Sequence, residues 1–189
     1  KKNNIDILKK KKNWITFVGK LNSAKGYDVF SKSIKKILNQ FPNWEAKVIG
    51  DEKREKISLK HKNADIMGFL NHEKVLDIFK KTSIAVACSR WEEPFGRTSL
   101  EASANGCAVI ITDKGGLPET VTNAKILKKL NEFSLEKTIK ELILNNKLRN
   151  RLQTLSLKNF YLTHEYITKK IDDYRSEKLK IVKNFYTRK

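Results

Sequence analysis

Two glutamates set eight positions apart, Glu93 and Glu101, are the first residues in this chain whose types and spacing could do chemistry. They lie in S-R-W-E-E-P-F-G-R-T-S-L-E-A-S-A, from Ser89 to Ala104, with Pro94-Phe95-Gly96 between them and a helix start expected at Thr98 or Ser99. An apolar run ending at Cys88 comes just before, so the stretch reads as strand, loop and helix N-terminus. One acid falls in the loop and the other about one turn into the helix. Carboxylates accept hydrogen bonds from sugar hydroxyls, and the free amides of a helix N-terminus bind anions. Gly96 has no side chain to keep a phosphate from the amides of Gly96, Arg97 and Thr98. The same pair also fits a solvated loop acid and a first-turn acid complementing the helix dipole. The rest of the chain must decide between these.

The elements that would position this stretch repeat one pattern. Trp14 to Val18 is a short β-rich run ending at Gly19, followed by Lys20-Leu21-Asn22-Ser23-Ala24-Lys25-Gly26 and an amphipathic segment from Tyr27 to Leu38. Ala46 to Ile49 is a second strand, ending at Gly50; Lys53 to Leu59 is expected to be helical, and Ala64 to Phe69 is a third strand. His72 to Lys81 has a helical apolar face, and Ile84 to Cys88 is apolar at every position, as a parallel strand covered on both faces must be. The helix through Leu100 to Asn105 stops at Gly106, and Cys107 to Ile111 leads into Lys114-Gly115-Gly116-Leu117-Pro118-Glu119. That paired glycine serves either a close approach to a ligand or a plain tight turn. Ala124 to Leu127 is a last edge strand; Ser134 to Leu144, Asn146 to Phe160 and the segment from Tyr166 onward are helical and polar.

Strands alternating with amphipathic helices define an α/β class, a single Rossmann-like domain with a parallel sheet and helices on both faces. Its expected limits are residues 13–163, after a basic leader at 1–12 and before a helical basic tail at 164–189. The Lys20/Lys25 loop, the Gly50 turn, the Phe69-Leu70 turn, the Glu93 loop and the glycine turn all follow strands. They should therefore converge on one edge of the sheet.

Composition narrows the class further. In 189 residues, 39% of them hydrophobic, 40 Lys+Arg stand against 21 Asp+Glu, a net charge of +19. A dedicated nucleic-acid groove would interleave aromatics with Arg, whereas here the charge is mostly Lys and is spread along the chain. Nucleic acid is therefore not the expected partner, while an anionic membrane surface fits the charge. Cys88 and Cys107 sit in apolar contexts, as buried free thiols do, and point to a reducing, cytoplasmic compartment. No apolar run is long enough to span a bilayer, and no metal-ligand spacing is present. The chain begins at Lys1 without a Met, as expected of a fragment.

With the order assembled, the sequence resembles the C-terminal, nucleotide-sugar-binding half of retaining glycosyltransferases of the GT-B fold, the group 1 or family 4 type. Three pieces in order carry the resemblance: F-V-G-K-L-N-S-A-K-G, E-P-F-G-R-T-S-L-E-A with its E-x7-E spacing, and G-C-A-V-I-I-T-D-K-G-G-L-P-E. The resemblance implies that Gly19, Lys20 and Lys25 meet the donor diphosphate, the two lysines as a basic pair. It implies that Glu93 holds the transferred sugar, Glu101 the ribose, and the backbone of Phe95, Gly96, Arg97 and Thr98 the phosphate and sugar. Leu70 would face the base. Lys20, Lys25 and Glu93 would surround the reacting bond.

It further implies a UDP- or GDP-linked sugar as substrate, no separate cofactor and no metal. The acceptor would be held by an N-terminal domain outside this chain, so that the chain alone binds donor without transferring it. Lys20 stands where Arg is commoner in the family, which removes a bidentate fork. Two other readings stay open: a basic module for nucleic acid or anionic membrane on an α/β scaffold, and a GT-B nucleotide-sugar epimerase.

Overall fold

The computed structural model describes residues 5–186. They divide into two compact units at Asn159/Phe160. The second unit holds one long helix, α7 (His164–Tyr186), in which Lys170 lies over the Tyr166 ring and Lys178 over the Tyr174 ring.

The first unit is built on six parallel strands: β1 (Lys12–Val18), β2 (Glu45–Ile49), β3 (Ala64–Ile66), β4 (Thr82–Ala87), β5 (Ala108–Thr112) and β6 (Ala124–Leu127). Their spatial order is β3-β2-β1-β4-β5-β6. The order reverses between β1 and β4, the place where open α/β sheets leave a crevice beyond the strands' carboxyl ends. Helices α1 (Ile5–Lys9), α2 (Tyr27–Gln40), α3 (His72–Lys81), α4 (Arg97–Ala104), α5 (Glu132–Leu144) and α6 (Asn146–Lys158), with a 3-10 turn at Pro118–Thr120, complete it.

The pleat of the central strands sends alternate residues into two separate cores. Ile84, Val86, Ala108 and Ile110 pack with Phe30, Ile34 and Leu38 of α2 and with Leu135 and Ile139 of α5. Ala85, Val109 and Ile111 face the other way, onto Val75 and Phe79 of α3 and Ala102 of α4. This is why residues 84–87 of β4 and 108–111 of β5 are apolar at every position: both faces are covered. Phe17, Tyr27 and Phe30 form an aromatic group with ring centroids 5.0 to 6.2 Å apart, which fixes α2 on β1. Removing a fully buried ring such as Phe30 would cost about 3–5 kcal/mol.

Two elements differ from expectation. Residues 53–59 form an irregular loop rather than a helix, because its acids bond elsewhere. Glu55 accepts from the Ser23 amide and hydroxyl (3.0 and 3.1 Å), and Glu52 accepts from Asn22 (3.0 Å) and from the Arg54 amide (3.0 Å). Such local carboxylate–amide bonds compete with helix formation. The third strand stops at Ile66 instead of Phe69, since Gly68 turns the chain at φ 63° and gives its carbonyl to the Gly50 amide at 2.8 Å.

Lys11, in the stretch read as a basic leader, turns inward. Its ammonium donates to the carbonyls of Phe79 (2.9 Å) and Asn105 (2.7 Å), at the C-terminal ends of α3 and α4. Burial holds its pKa below the ordinary lysine value, a shift that the neighbouring Cys107 thiol only partly opposes. Both cysteines are buried free thiols, and burial pushes Cys88 up to about 12.

Candidate functional site

Each wall of the crevice begins where a strand of the sheet's centre ends. After β1 the chain passes Gly19, loops through Lys20 to Lys25 and enters α2 at Gly26. A Cβ on Gly26 would stand 2.0 Å from the Cys88 carbonyl oxygen, so only glycine lets this loop lie against the end of β4. The loop is then tied to the acidic stretch. Ala24 O accepts from the amides of Arg90 (2.9 Å) and Trp91 (3.2 Å) and from the Ser89 hydroxyl (3.2 Å). Arg90 grips Asp28 through both terminal guanidinium nitrogens, Nη1 and Nη2 (2.6 and 2.8 Å). Burial alone would raise the Asp28 carboxyl, but the hydrogen bonds from Arg90 and from backbone amides hold it below its ordinary value.

The acidic loop rests in turn on the glycine pair. Gly116 N–H donates to Glu93 O at 2.6 Å, and Glu92 accepts from Gly115 N–H (2.6 Å) and Lys114 Nζ (2.7 Å). A Cβ on Gly115 would lie 2.3 Å from Glu93 O, and one on Gly116 3.0 Å from Phe95 Cα. The paired glycines thus admit the acidic loop to the backbone. Lys114 and the Gly115 amide keep the Glu92 carboxyl below its ordinary value.

Gly96 closes the loop at φ 88° and opens α4, so the helix starts at Arg97, ahead of the expected Thr98 or Ser99. As N-cap it brings no side chain to the first amides of the helix, which have no partner within the helix. These amides face a hollow lined by Gly19, Lys25, Ser89, Glu93, Gly96, Arg97, Thr98 and Leu117. In it Lys25 Nζ lies 2.5 Å from Glu93 Oε1, with side-chain exposures of 32% and 13%.

A second hollow shares Val18 and Gly19 with the first and is walled by Lys20, Gly50, Asp51, Phe69, Leu70 and Val75. The two lysines expected to act as a pair therefore serve adjoining hollows, Lys25 the first and Lys20 the second. Phe69, on the rim, is 80% exposed, and Phe95 is half exposed. Glu101, one turn into α4, is 16% exposed; it meets Arg97 Nε at 3.0 Å and His72 Nε2 at 2.9 Å. Among the described residues no group of three or more His, Cys, Asp or Glu is arranged to hold a metal ion. None of the described helices is long and apolar enough to cross a membrane.

The structure brings Lys25, Glu93 and the start of α4 around one hollow and sets Glu101 one turn into that helix, and the groups that hold them carry little signal in the sequence. Arg90 and Glu92 lie inside the very stretch that was singled out, yet their partners Asp28 and Lys114 are distant in sequence. His72 gives a weaker signal still, since it follows the N-cap Asn71 of α3 as many polar residues could.

Comparison with known proteins gives this geometry a family. Residues 1–156 match the model of the glycosyl transferases group 1. The lipopolysaccharide core biosynthesis mannosyltransferase LpsB of Rhizobium meliloti (strain 1021) is 34% identical over 122 residues, 59% of this chain. Only 34% of LpsB is covered, so the chain spans about a third of that relative's length. The C-terminal domain of LpcC, a glycosyl transferase group 1 family protein from Francisella tularensis, superposes with a TM-score of 0.69 at 22% identity. That match covers 82% of this chain and 88% of the domain. HepE from Anabaena, solved in complex with UDP and glucose, gives a TM-score of 0.73 at 16% identity over 93% of this chain and 52% of its own. The α/β Rossmann-like architecture is accordingly that of a GT-B glycosyltransferase domain, and the chain belongs to the glycosyl transferases group 1 family.

Proposed function

We propose that this chain is the donor-binding part of a glycosyltransferase, holding a nucleoside diphosphate sugar for transfer, with retention and without a metal, to an acceptor bound by a domain outside this chain. The observation that carries the reading is one hollow in which Lys25, Glu93 and the open N-terminus of α4 meet at the carboxyl edge of the sheet. A cation and a helix N-terminus suit a diphosphate, and a carboxylate beside them suits a sugar's hydroxyls. The structures of HepE in complex with UDP and glucose, and with UDP-glucose, support a nucleotide sugar as the ligand class.

The 2.5 Å pairing of Lys25 with Glu93 supports one order of events. An incoming diphosphate draws the Lys25 ammonium to itself, and the released Glu93 carboxylate turns to the sugar. As the glycosidic bond breaks, negative charge grows on the leaving diphosphate. Lys25 and the amides of Arg97 and Thr98 stabilise that charge from fixed positions. Glu101, with its backbone in the same helix, receives the ribose hydroxyls, and Leu70 in the adjoining hollow faces the base. Lys20 supplies a second positive charge from the far side of Gly19.

Calorimetry with UDP, GDP and ADP, and with their sugars, tests the reading. At least one should bind, and Glu101→Ala should weaken the nucleotide about tenfold while leaving affinity for tripolyphosphate unchanged. Equal losses for both ligands, or no nucleotide binding by the native chain, would overturn it.

A further inference from the structure

Glu101 is held in a way that its proposed role alone does not require. Among the described residues, both polar contacts of its carboxylate fall on the same oxygen. Oε1 takes His72 Nε2 at 2.9 Å and Arg97 Nε at 3.0 Å, and among the described residues Oε2 has no such partner. A carboxylate pinned by one oxygen and free at the other is oriented, not merely neutralised. Arg97 is its neighbour one turn back on α4, and its side chain is 73% exposed. A long, solvated side chain of this kind gives little fixed direction. His72, whose side chain is 54% exposed, differs in origin and in stiffness: it comes from another element, has only two side-chain torsions, and sits at the first turn of α3 behind the N-cap Asn71, which accepts from Lys74 N–H at 3.0 Å.

Neither His72 nor Glu101 lines either hollow, but each lies close in sequence to a residue that does. Leu70, two residues before His72, lines the hollow shared with Lys20 and Gly50, whereas Arg97, four residues before Glu101, lines the hollow of Lys25 and Glu93. The 2.9 Å contact between His72 and Glu101 is thus a direct link between the element that would face the base and the helix that would hold the phosphate and ribose. A ribose joins base to phosphate in any nucleotide, so a residue fixing the ribose acceptor across this junction is placed to act on that one group.

We propose that His72 is a positioning residue: its ring nitrogen holds Glu101 Oε1, so that Oε2 is presented to the ribose hydroxyls of a nucleoside diphosphate. The inference rests on the donor-binding reading above and adds a determinant of ribose recognition to it. His72 touches no reacting atom, and its effect passes wholly through Glu101. Its removal should therefore be felt only by ligands that possess the hydroxyls.

The test is a comparison of ligands. Whichever of UDP, GDP and ADP binds the native chain most tightly is titrated alongside its 2′,3′-dideoxy counterpart. In the native chain, loss of the hydroxyls should weaken binding about tenfold or more. In His72→Ala that ratio should shrink to roughly threefold, the dideoxy ligand binding as it does to the native chain. His72→Gln, which keeps an N–H donor, should restore most of the ratio. An unchanged ratio in His72→Ala overturns the positioning role, as does a loss shared equally by both ligands or one that Gln does not reduce. Native binding with an unchanged ratio leaves the donor-binding reading standing, whereas failure of all three nucleotides to bind removes both.

Discussion

The two ends of α4 have opposite fates. At its start, Gly96 leaves the first amides uncapped and faces them into the hollow of Lys25 and Glu93. At its finish, the carbonyl of Asn105 is closed by the ammonium of Lys11, reached from the opposite edge of the sheet. Both ends carry the partial charge of an eight-residue helix. The chain spends a lysine on the end that does nothing further and withholds any side chain from the end that meets solvent. Open amides at one end of a short helix, with a charged cap at the other, mark which end is available to a ligand.

The sharpest way to break this contrast is at Gly115, which supports the open end. With φ at 52° and its would-be Cβ 2.3 Å from Glu93 O, Gly115→Ala must move the acidic loop. We expect a loss of about 2–3 kcal/mol in stability by chemical denaturation, together with weakened nucleotide-sugar binding. Lys11→Met acts on the closed end. It strands two carbonyls and should cost about 2 kcal/mol, with nucleotide affinity of the folded protein unchanged. If Lys11→Met weakened nucleotide binding as much as Gly115→Ala, the two ends would not differ in function.

Smaller effects sharpen the comparison. Lys25→Ala should weaken a nucleoside diphosphate about tenfold, and titrations at several salt concentrations should show a shallower dependence than in the native chain. An unchanged affinity would remove Lys25 from the site. The closed end has a pH signature. Because burial holds Lys11 below the ordinary 10.5, the unfolded chain binds more protons between the depressed value and 10.5. Stability should therefore rise with pH through that window, relative to Lys11→Met, which lacks the group. Denaturation curves of the two proteins at intervals from pH 7 to 10.5 would test the sign, and a falling difference would contradict it.

Much of the scaffold was legible because local signals and burial agreed. Helix α3 starts behind Asn71 and ends in Lys80-Lys81, and its observed limits match those read from periodicity. The edge strand Ala124–Leu127 is likewise where the sequence placed it. Residues 53–59 misled because the charge pattern of a helix was serving Asn22 and Ser23, partners some 30 positions away. In the site, the convergence of Lys25, Glu93 and Gly96 could be argued from strand order alone. The pairing of Lys25 with Glu93, 68 positions apart, could not, nor could the contact of His72 with Glu101. Lys11 was invisible for a different reason. In a run of lysines nothing distinguishes the one that two helix C-termini will bury.

The neighbouring of β1 and β4 has a consequence for how the molecule is made. Their register pairs Ile15 with Ile84 and Phe17 with Val86, contacts between residues about 69 positions apart in sequence. Closing so long a loop is slow and entropically costly. One flank, β1 to β3, can associate before it, and so can the other, β4 to β6. The crevice exists only once the two flanks have joined, since Lys25 comes from one and Glu93 from the other. A nucleotide would thus meet no half-formed site during folding; it would recognise the chain only after the last long-range pairing and would slow the parting of those two strands.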